Sequence, residues 1–181
     1  MTEFFLGDIS HIATTLKERR ESALLRGKLK TRIDNKGRIF LGAKFRQELG
    51  DRAFVLYASD FHVLLVSAET FDHIEAHIKQ RIDVTTYNGF LKAMDTDTQK
   101  FLRSFYSLHT EVEVDEQGRI TLPKFLREDV YLQDELVVYS LGWCLEIWNA
   151  SKAPRVEPIP VAQALGGLSE SKSQAGGNGG A

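Results

Sequence analysis

Two short segments of the chain carry an aspartate and an arginine at the same spacing, with a glycine directly before the arginine. In the first segment, called hairpin one here (residues 34–38), a tight turn would project Lys36 and Arg38 from the surface. Arginine offers a planar fork that suits phosphate or the O6 and N7 atoms of guanine, and lysine offers a point charge. These residue types are suited to contact with DNA, and the alternative is that Arg38 only forms an ion pair with Asp34.

The second segment, hairpin two (residues 115–119), repeats the aspartate, glycine and arginine of hairpin one but not its charge. Hairpin one has one acid and two bases, a net charge of +1, whereas hairpin two has two acids and one base, a net charge of −1, with Gln117 in place of Lys36. Phosphate contacts dominate affinity for DNA. We therefore expect hairpin one to face DNA and hairpin two to serve packing or subunit contact, with Arg119 paired to Asp115 or a neighbouring acid.

Further residues around the two hairpins complete the predicted site, because basic side chains can hold the DNA backbone without reading sequence. The residues assigned to DNA binding are Lys36, Gly37, Arg38, Arg32, Lys44 and Arg46. Those assigned to the structure of the turns, or to a second DNA-contacting loop, are Asp34, Asp115, Gly118, Arg119 and Arg127. For Arg46 and Arg127, a structural ion pair explains the residue as well as DNA contact does.

The sequence predicts neither an enzyme nor a cofactor site. It contains no nucleophile elbow, phosphate-binding glycine loop or HExxH helix. His73 and His77 have an i,i+4 spacing that could bind a metal ion, but no third ligand is evident nearby, so we expect no metal site. Cys144, the single cysteine, excludes an internal disulfide, and its apolar neighbours predict an inert buried thiol.

Each hairpin is flanked by alternating apolar residues of the kind that form β-strands. The turn itself suits a type I geometry, in which the leading aspartate accepts backbone N–H bonds and the closing glycine takes a positive φ. A short helix and two apolar strands follow each hairpin. Between the two copies, apolar spacing predicts two helices, at about 68–81 and about 96–108.

The flanking elements form an internal repeat. Residues 33–42 align without gaps to residues 114–123, at an offset of 81 positions, and the match continues into the following helix and strands. The segment from about 26 to 150 is therefore two copies of one β-rich unit. Because units of about 50 residues are marginal alone, we expect the copies to pack together around a pseudo-two-fold axis.

Charge is distributed unevenly along the chain. Residues 16–46 hold 11 basic and three acidic residues, a net of +8, so the rest of the chain, with 12 basic and 22 acidic residues, has a net of −10. Such asymmetry is typical of nucleic-acid binding, although a solvated, salt-bridged surface would also produce it. No apolar run approaches 18 residues and no secretory signal is present, so we expect a cytoplasmic protein without a membrane partner.

The repeated Asp-x-x-x-Arg hairpins, each followed by Pro/Gly-x-x-Phe/Leu-Arg, resemble the MraZ family of bacterial transcriptional regulators, tandem members of the AbrB/SpoVT swapped-hairpin superfamily. The resemblance covers about residues 26–150. It implies an α+β, β-rich fold in which two tandem swapped-hairpin (AbrB-like) units form a pseudo-two-fold, double-ψ-like β core with short helices. The chain departs from the family pattern at Gly42, where proline is favoured, which predicts a looser start of the first short helix.

The same resemblance implies a function. It predicts a sequence-specific, nucleoid-associated regulator that binds short repeats in double-stranded promoter DNA as a homo-oligomeric ring. Such a protein would repress the division and cell-wall gene cluster, including its own promoter. The alternative is a protein-interaction module, antitoxin-like or a ring-forming scaffold, whose hairpins contact protein instead of DNA.

The expected domain organisation has five parts. A short amphipathic helix is predicted within the N-terminal extension, from the spacing of Ile9, Ile12 and Leu16. The proline- and glycine-rich C-terminal composition predicts a disordered tail. The parts are an N-terminal extension (1–25), a first SpoVT-AbrB-like domain (28–75), a helical linker (76–105), a second SpoVT-AbrB-like domain (106–149) and the tail (153–181).

Overall fold

The computed structural model of the chain describes residues 27–59, 61–161 and 163. These residues form an α+β fold built on antiparallel sheets, as expected. The first copy contains β1 (Lys28–Arg32), β2 (Arg38–Phe40), α1 (Ala43–Leu49), β3 (Arg52–Ser59) and β4 (His62–Ser67). The second copy contains β5 (Thr110–Glu113), β6 (Arg119–Thr121), α5 (Lys124–Asp129), β7 (Glu135–Ser140) and β8 (Leu145–Asn149). The helices between them are α2 (Ala68–Arg81), α3 (Tyr87–Met94) and α4 (Thr96–Leu108).

Strands from the two copies pair with each other in both sheets. The larger sheet has six strands in the order β1-β7-β8-β4-β3-β5, and a separate two-stranded sheet joins β2 to β6. Exchanging each strand for its equivalent in the other copy reverses the six-strand order, so the topology has a pseudo-two-fold relation. The pairings of β1 with β7, β2 with β6 and β3 with β5 all join the two copies. Backbone hydrogen bonds therefore join the two copies directly. The copies pack together, as expected for units that would be marginally stable alone.

One hydrophobic core lies between the sheets and contains residues from both copies. The alternation around the hairpins directs Ile39, Leu41, Ile120 and Leu122 inward, where each side chain is at most 3% exposed. Side chains of this size typically gain about 1.5–3 kcal/mol each when they leave water. The core thus anchors the strand that follows each hairpin.

A second, smaller cluster lies where α2 and α4 pack against the larger sheet. Phe54 and Phe71 stack with their ring centroids 3.9 Å apart, and Phe105 stacks on Phe71 at 5.9 Å. Cys144 is fully buried beside this cluster. Burial raises the pKa of its thiol, which favours the protonated form. The buried position that the sequence predicted for Cys144 is confirmed.

The two predicted linker helices are confirmed, and a third helix was missed. N-terminal capping explains where the two predicted helices begin. Ser67 Oγ accepts the N–H of Thr70 at 3.2 Å at the start of α2, and Asp95 Oδ2 accepts the N–H of Thr98 at 2.9 Å at the start of α4. The missed helix, α3, has only eight residues and contains Gly89, which lowers its helical propensity. Gly89 is nevertheless required, because a Cβ there would clash with the carbonyl oxygen of Asp83.

The ends of the chain are described only in part. The predicted N-terminal helix lies outside the described residues, as does most of the predicted tail. Residues 154–161 are exposed, and the Tyr139 hydroxyl donates a 2.8 Å hydrogen bond to the carbonyl of Pro154. Among the described residues, no helix combines the length and apolar character that crossing a bilayer requires.

Candidate nucleic-acid interface

Hairpin one is held by its aspartate. The Oδ1 atom of Asp34 accepts the backbone N–H groups of Lys36 and Arg38, at 2.9 and 2.8 Å, and its Oδ2 atom accepts Arg38 Nε at 2.7 Å. Gly37 completes the turn with φ +80°, a left-handed conformation that glycine adopts without strain. The turn sequence thus predicted the geometry, and the ion pair between Arg38 and Asp34 is present.

Hairpin two has the same geometry. Asp115 Oδ1 accepts the N–H groups of Gln117 and Arg119 at 2.9 and 2.8 Å, and Asp115 Oδ2 accepts Arg119 Nε at 2.6 Å. Gly118 has φ +74°. The predicted pairing of Arg119 with Asp115 is therefore present, but Arg38 makes the same pair. The aspartate–arginine pair does not distinguish the two hairpins.

Both aspartates are held in their charged form by these bonds. The N–H of Arg38 is the largest cause that lowers the pKa of Asp34, and the Arg38 guanidinium and the N–H of Lys36 lower it further. The N–H and guanidinium of Arg119 act in the same way to lower the pKa of Asp115. Each arginine is therefore oriented before it meets a ligand. Each aspartate engages only Nε, and within the described residues no protein acceptor pairs with the Nη groups of Arg38 or Arg119.

The two arginines lie on one face of the β2–β6 ribbon. Arg38 is opposite Thr121, Ile39 is opposite Ile120, and Phe40 is opposite Arg119. Ile39 and Ile120 point into the core and are 1% exposed, so the alternate residues face outward. We call this surface the outer ribbon face; its residues are Arg38, Phe40, Arg119 and Thr121.

Hydrogen bonds beyond the strand ends lengthen the ribbon. Leu122 N–H donates to the carbonyl of Gly37, and Leu41 N–H donates to the carbonyl of Gly118, both at 2.8 Å. Each hairpin turn is thus bonded to the strand that follows the other hairpin. Because the hairpins share one ribbon and one outward face, the expected inequality between them rests on their charge alone.

Arg46 and Arg127 brace the hairpin of the opposite copy. Arg46 Nε donates to the carbonyl of Asp115 at 2.9 Å, and its Nη2 pairs with Asp51 Oδ1 at 2.8 Å. Arg127 Nε donates to the carbonyl of Leu122 at 3.0 Å. The Arg127 guanidinium also lies against Gly37, where an added Cβ would be 2.9 Å from Arg127 Cζ. The contacts of both arginines support the structural interpretation, through an ion pair for Arg46 and a backbone hydrogen bond for Arg127.

Gly42 differs from its equivalent Pro123 in conformation as well as in type. Gly42 has φ +88°, which proline cannot adopt, whereas Pro123 has φ −56°. The N–H of Gly42 donates to the carbonyl of Gly118 at 3.3 Å. The Gly42 carbonyl lies so close to Gly118 that an added Cβ on Gly118 would be 2.6 Å from the oxygen. The glycine at position 42 therefore lets hairpin two approach α1 closely.

The remaining predicted DNA contacts lie around hairpin one. Lys36 is exposed in the turn, and Lys44 is exposed on α1. Arg32 is on β1, where its Nη2 pairs with Glu135 Oε1 at 2.8 Å while its side chain remains 80% exposed. An exposed pair of this kind is weak, so Arg32 remains available to phosphate.

Sequence reasoning missed two members of the outer ribbon face, Phe40 and Thr121. The Phe40 side chain is 52% exposed, whereas the adjacent Ile39 is 1% exposed. The signal was present in the alternation, because Ile39 and Leu41 inside require Phe40 outside.

The comparisons with known proteins all indicate the same family. The chain matches the family model described as "MraZ protein, putative antitoxin-like" over residues 24–87 and 105–152. It is 33% identical over 120 residues to a protein named Transcriptional regulator MraZ from Alkaliphilus metalliredigens, which covers 66% of this chain and 77% of the relative. Proteins of the same name from Ligilactobacillus salivarius and Desulforamulus reducens are each 35% identical, over 126 and 129 residues. These alignments cover 70% and 71% of this chain, and 81% and 84% of the two relatives.

Proposed function

The chain belongs to the MraZ family, and from this membership we propose that it is a transcriptional regulator that binds double-stranded DNA in a sequence-specific way. The observation that carries the proposal is the outer ribbon face, where Arg38 and Arg119 are oriented by Asp34 and Asp115 with their Nη groups left for a ligand. A two-stranded antiparallel ribbon fits the major groove of B-DNA, and arginine binds guanine O6 and N7 there.

Preorganisation of the two arginines lowers the cost of the proposed contact. Each aspartate already fixes the arginine beside it, so DNA binding need not order that side chain, which lowers the entropic cost. Lys36, Lys44 and Arg32 surround the ribbon at hairpin one and would contact phosphates, which raises affinity without reading sequence. Hairpin one would contribute more than hairpin two because of its net charge of +1 against −1.

The finer architecture is also part of the proposal. We infer that the pairing of β2 with β6, together with the bonds from each turn to the opposite copy, is the swapped-hairpin, double-ψ-like arrangement. Residues 28–75 and 106–149 would be the two SpoVT-AbrB-like units, with 76–105 as their linker. The tail at 153–181 would be dispensable for DNA binding, because its composition cannot build a core.

Oligomerisation would supply the avidity that a single ribbon lacks. One ribbon offers few base contacts, whereas several ribbons on a ring gain effective concentration along repeated promoter sites. The missed helix α3 supports self-association, because it leaves apolar side chains between 48% and 76% exposed. These are Tyr87, Phe90, Leu91 and Met94. The ring would bind short repeats upstream of the division and cell-wall cluster, in the cytoplasm at the nucleoid, and repress its own promoter.

The direct experiment is a binding titration with the full chain. A labelled duplex from the promoter upstream of its own gene is compared with a shuffled duplex of equal length and composition, and light scattering measures the oligomer in parallel. We expect tighter binding to the promoter and a species larger than a dimer. Equal binding to both duplexes, or none, would contradict sequence-specific recognition and favour hairpins that contact protein.

A further inference from the structure

We propose that Phe40 is a specificity-determining residue whose ring contacts the C5-methyl group of a thymine in the major groove, beside the base that Arg38 contacts. The inference rests on the proposed function and extends it to a residue outside the Asp-x-x-x-Arg pattern. The proposed ligand of the outer ribbon face is duplex DNA that contains thymine next to guanine.

The position of Phe40 is the first support. Its side chain is 52% exposed at the end of β2, whereas its inward neighbours, Ile39 and Leu41, are 1% and 3% exposed. The hydrophobic core therefore does not include the Phe40 side chain. The register places Phe40 directly opposite Arg119, and Arg38 lies two residues away on the same face of the same strand. An exposed aromatic residue thus has an arginine directly opposite it and another two positions away on the same strand.

The chemistry of the groove matches this arrangement. The C5-methyl of thymine is the apolar group that base pairs present in the major groove, and phenylalanine is one of the side chains that contact it. Arginine is the side chain that most often contacts guanine. A face with two arginines and one aromatic ring is therefore complementary to an edge with guanine acceptors and a thymine methyl, and the arginines supply the charge that draws in DNA.

The backbone of Phe40 is held from two sides. Thr31 Oγ1 donates to the Phe40 carbonyl at 3.0 Å, and β6 pairs with the strand on the other side. The ring lies near Gly42, with Cε1 and Cζ 3.8 Å from the position of an added Cβ. A fixed backbone limits the positions that the ring can take, so less freedom is lost when the ring contacts a base.

The equivalent residue in the second copy is smaller. Thr121 is exposed opposite Arg38, and its single methyl group extends less far than a phenyl ring. The outer ribbon face therefore has a long apolar contact beside Arg119 and a short one beside Arg38. This asymmetry predicts that methyl recognition depends mainly on Phe40.

The test combines a protein variant with a DNA variant. The promoter duplex is prepared with thymine and with all thymines replaced by deoxyuridine, which removes only the methyl groups. Wild-type protein and Phe40→Ser are titrated against both duplexes. Phe125→Ala is the matched control, because Phe125 is a 43% exposed phenylalanine on α5, outside the ribbon.

We expect deoxyuridine to weaken wild-type binding about three- to ten-fold, an apolar contact being worth less than a bidentate pair. The ratio of the affinities for the thymine and deoxyuridine duplexes should fall to near one in Phe40→Ser. The same ratio should be unchanged in Phe125→Ala. Equal ratios for wild type and Phe40→Ser would overturn the inference even where the promoter is bound specifically. Loss of the oligomer in Phe40→Ser, with the methyl ratio intact, would instead assign Phe40 to subunit contact. Failure of the wild type to prefer its promoter would refute the proposed function, and the inference with it.

Discussion

Hairpin one and hairpin two have almost the same geometry and opposite charge. Their aspartates accept the same three bonds with lengths that agree within 0.1 Å, and their arginines are 41% and 38% exposed. What differs is the exposed middle of each turn, which contains Lys36 in one hairpin and Glu116 with Gln117 in the other. The comparison shows that one turn geometry is compatible with opposite net charges, since the bonds that hold the turn do not involve the side chains in its middle.

The largest difference between the hairpins should appear when each arginine is removed. Arg38→Ala should weaken promoter binding about 10- to 100-fold, since an arginine–guanine contact is worth about 1–3 kcal/mol. Arg119→Ala should weaken it only a few-fold and should cost stability or assembly more than affinity. Anisotropy titrations at one salt concentration measure the affinities, and light scattering measures the oligomer. Equal losses from two fully assembled variants would show that both hairpins contact DNA equally.

The turn glycines should differ in the stability they confer. Gly37→Ala should cost about 1–2 kcal/mol for its positive φ, because the side chain of Arg127 can move away from the new methyl group. Gly118→Ala should cost about 1–3 kcal/mol more, since its neighbour is the backbone carbonyl of Gly42. Urea unfolding of both variants measures the difference. A smaller loss for Gly118→Ala would mean that the contact with Gly42 is easily relieved.

The middle residues of the turns should change the salt dependence in opposite directions. Lys36→Gln should reduce the slope of log affinity against log salt by about one for each engaged ribbon, because one phosphate contact is lost. Gln117→Lys should increase the slope by about the same amount if hairpin two lies near the backbone. Titrations between 50 and 200 mM salt provide the slopes. An unchanged slope in Lys36→Gln would show that Lys36 does not contact the DNA backbone.

The smallest difference is expected between the two aspartates. Asp34 and Asp115 should both titrate below the ordinary pKa of 3.8, because the same bonds favour their charged forms. Since folding lowers each pKa, the stabilisation is present above the pKa of the unfolded chain and is lost as the pH falls through the folded value. NMR titration of the carboxyl carbons measures both groups. A clearly higher pKa for one aspartate would show that the hairpins differ before DNA binds.

The sequence predicted the local features of this fold better than the long-range ones. The two linker helices, the turns and the inward Ile39 and Ile120 follow from spacing and residue type. The pairing of β2 with β6 joins segments about 80 residues apart, and local propensity carries no information about such a partner. The contact of the Arg127 guanidinium with Gly37 also joins distant segments, so local propensity carries no information about it either.

The candidate site was predicted in part for the same reason. Charge and turn chemistry identified Arg38 and Lys36, and the resemblance to a known family connected them with DNA. That Arg119 shares the outward face with Arg38 became visible only from the register of the ribbon. Phe40 was missed because an apolar residue in a strand is assigned to the core by default, although alternation places this one outside.

The most direct test of the central claim, that charge and not geometry makes the hairpins unequal, is to exchange the turn charges. The exchange combines Asn35→Glu and Lys36→Gln with Glu116→Asn and Gln117→Lys, all at exposed positions. Arg38→Ala and Arg119→Ala are then measured for promoter affinity in the original and in the exchanged background. The account predicts that Arg119→Ala becomes the more damaging substitution in the exchanged protein. If Arg38→Ala remains more damaging by the same factor in both backgrounds, position in the fold determines the inequality and the charge argument is wrong.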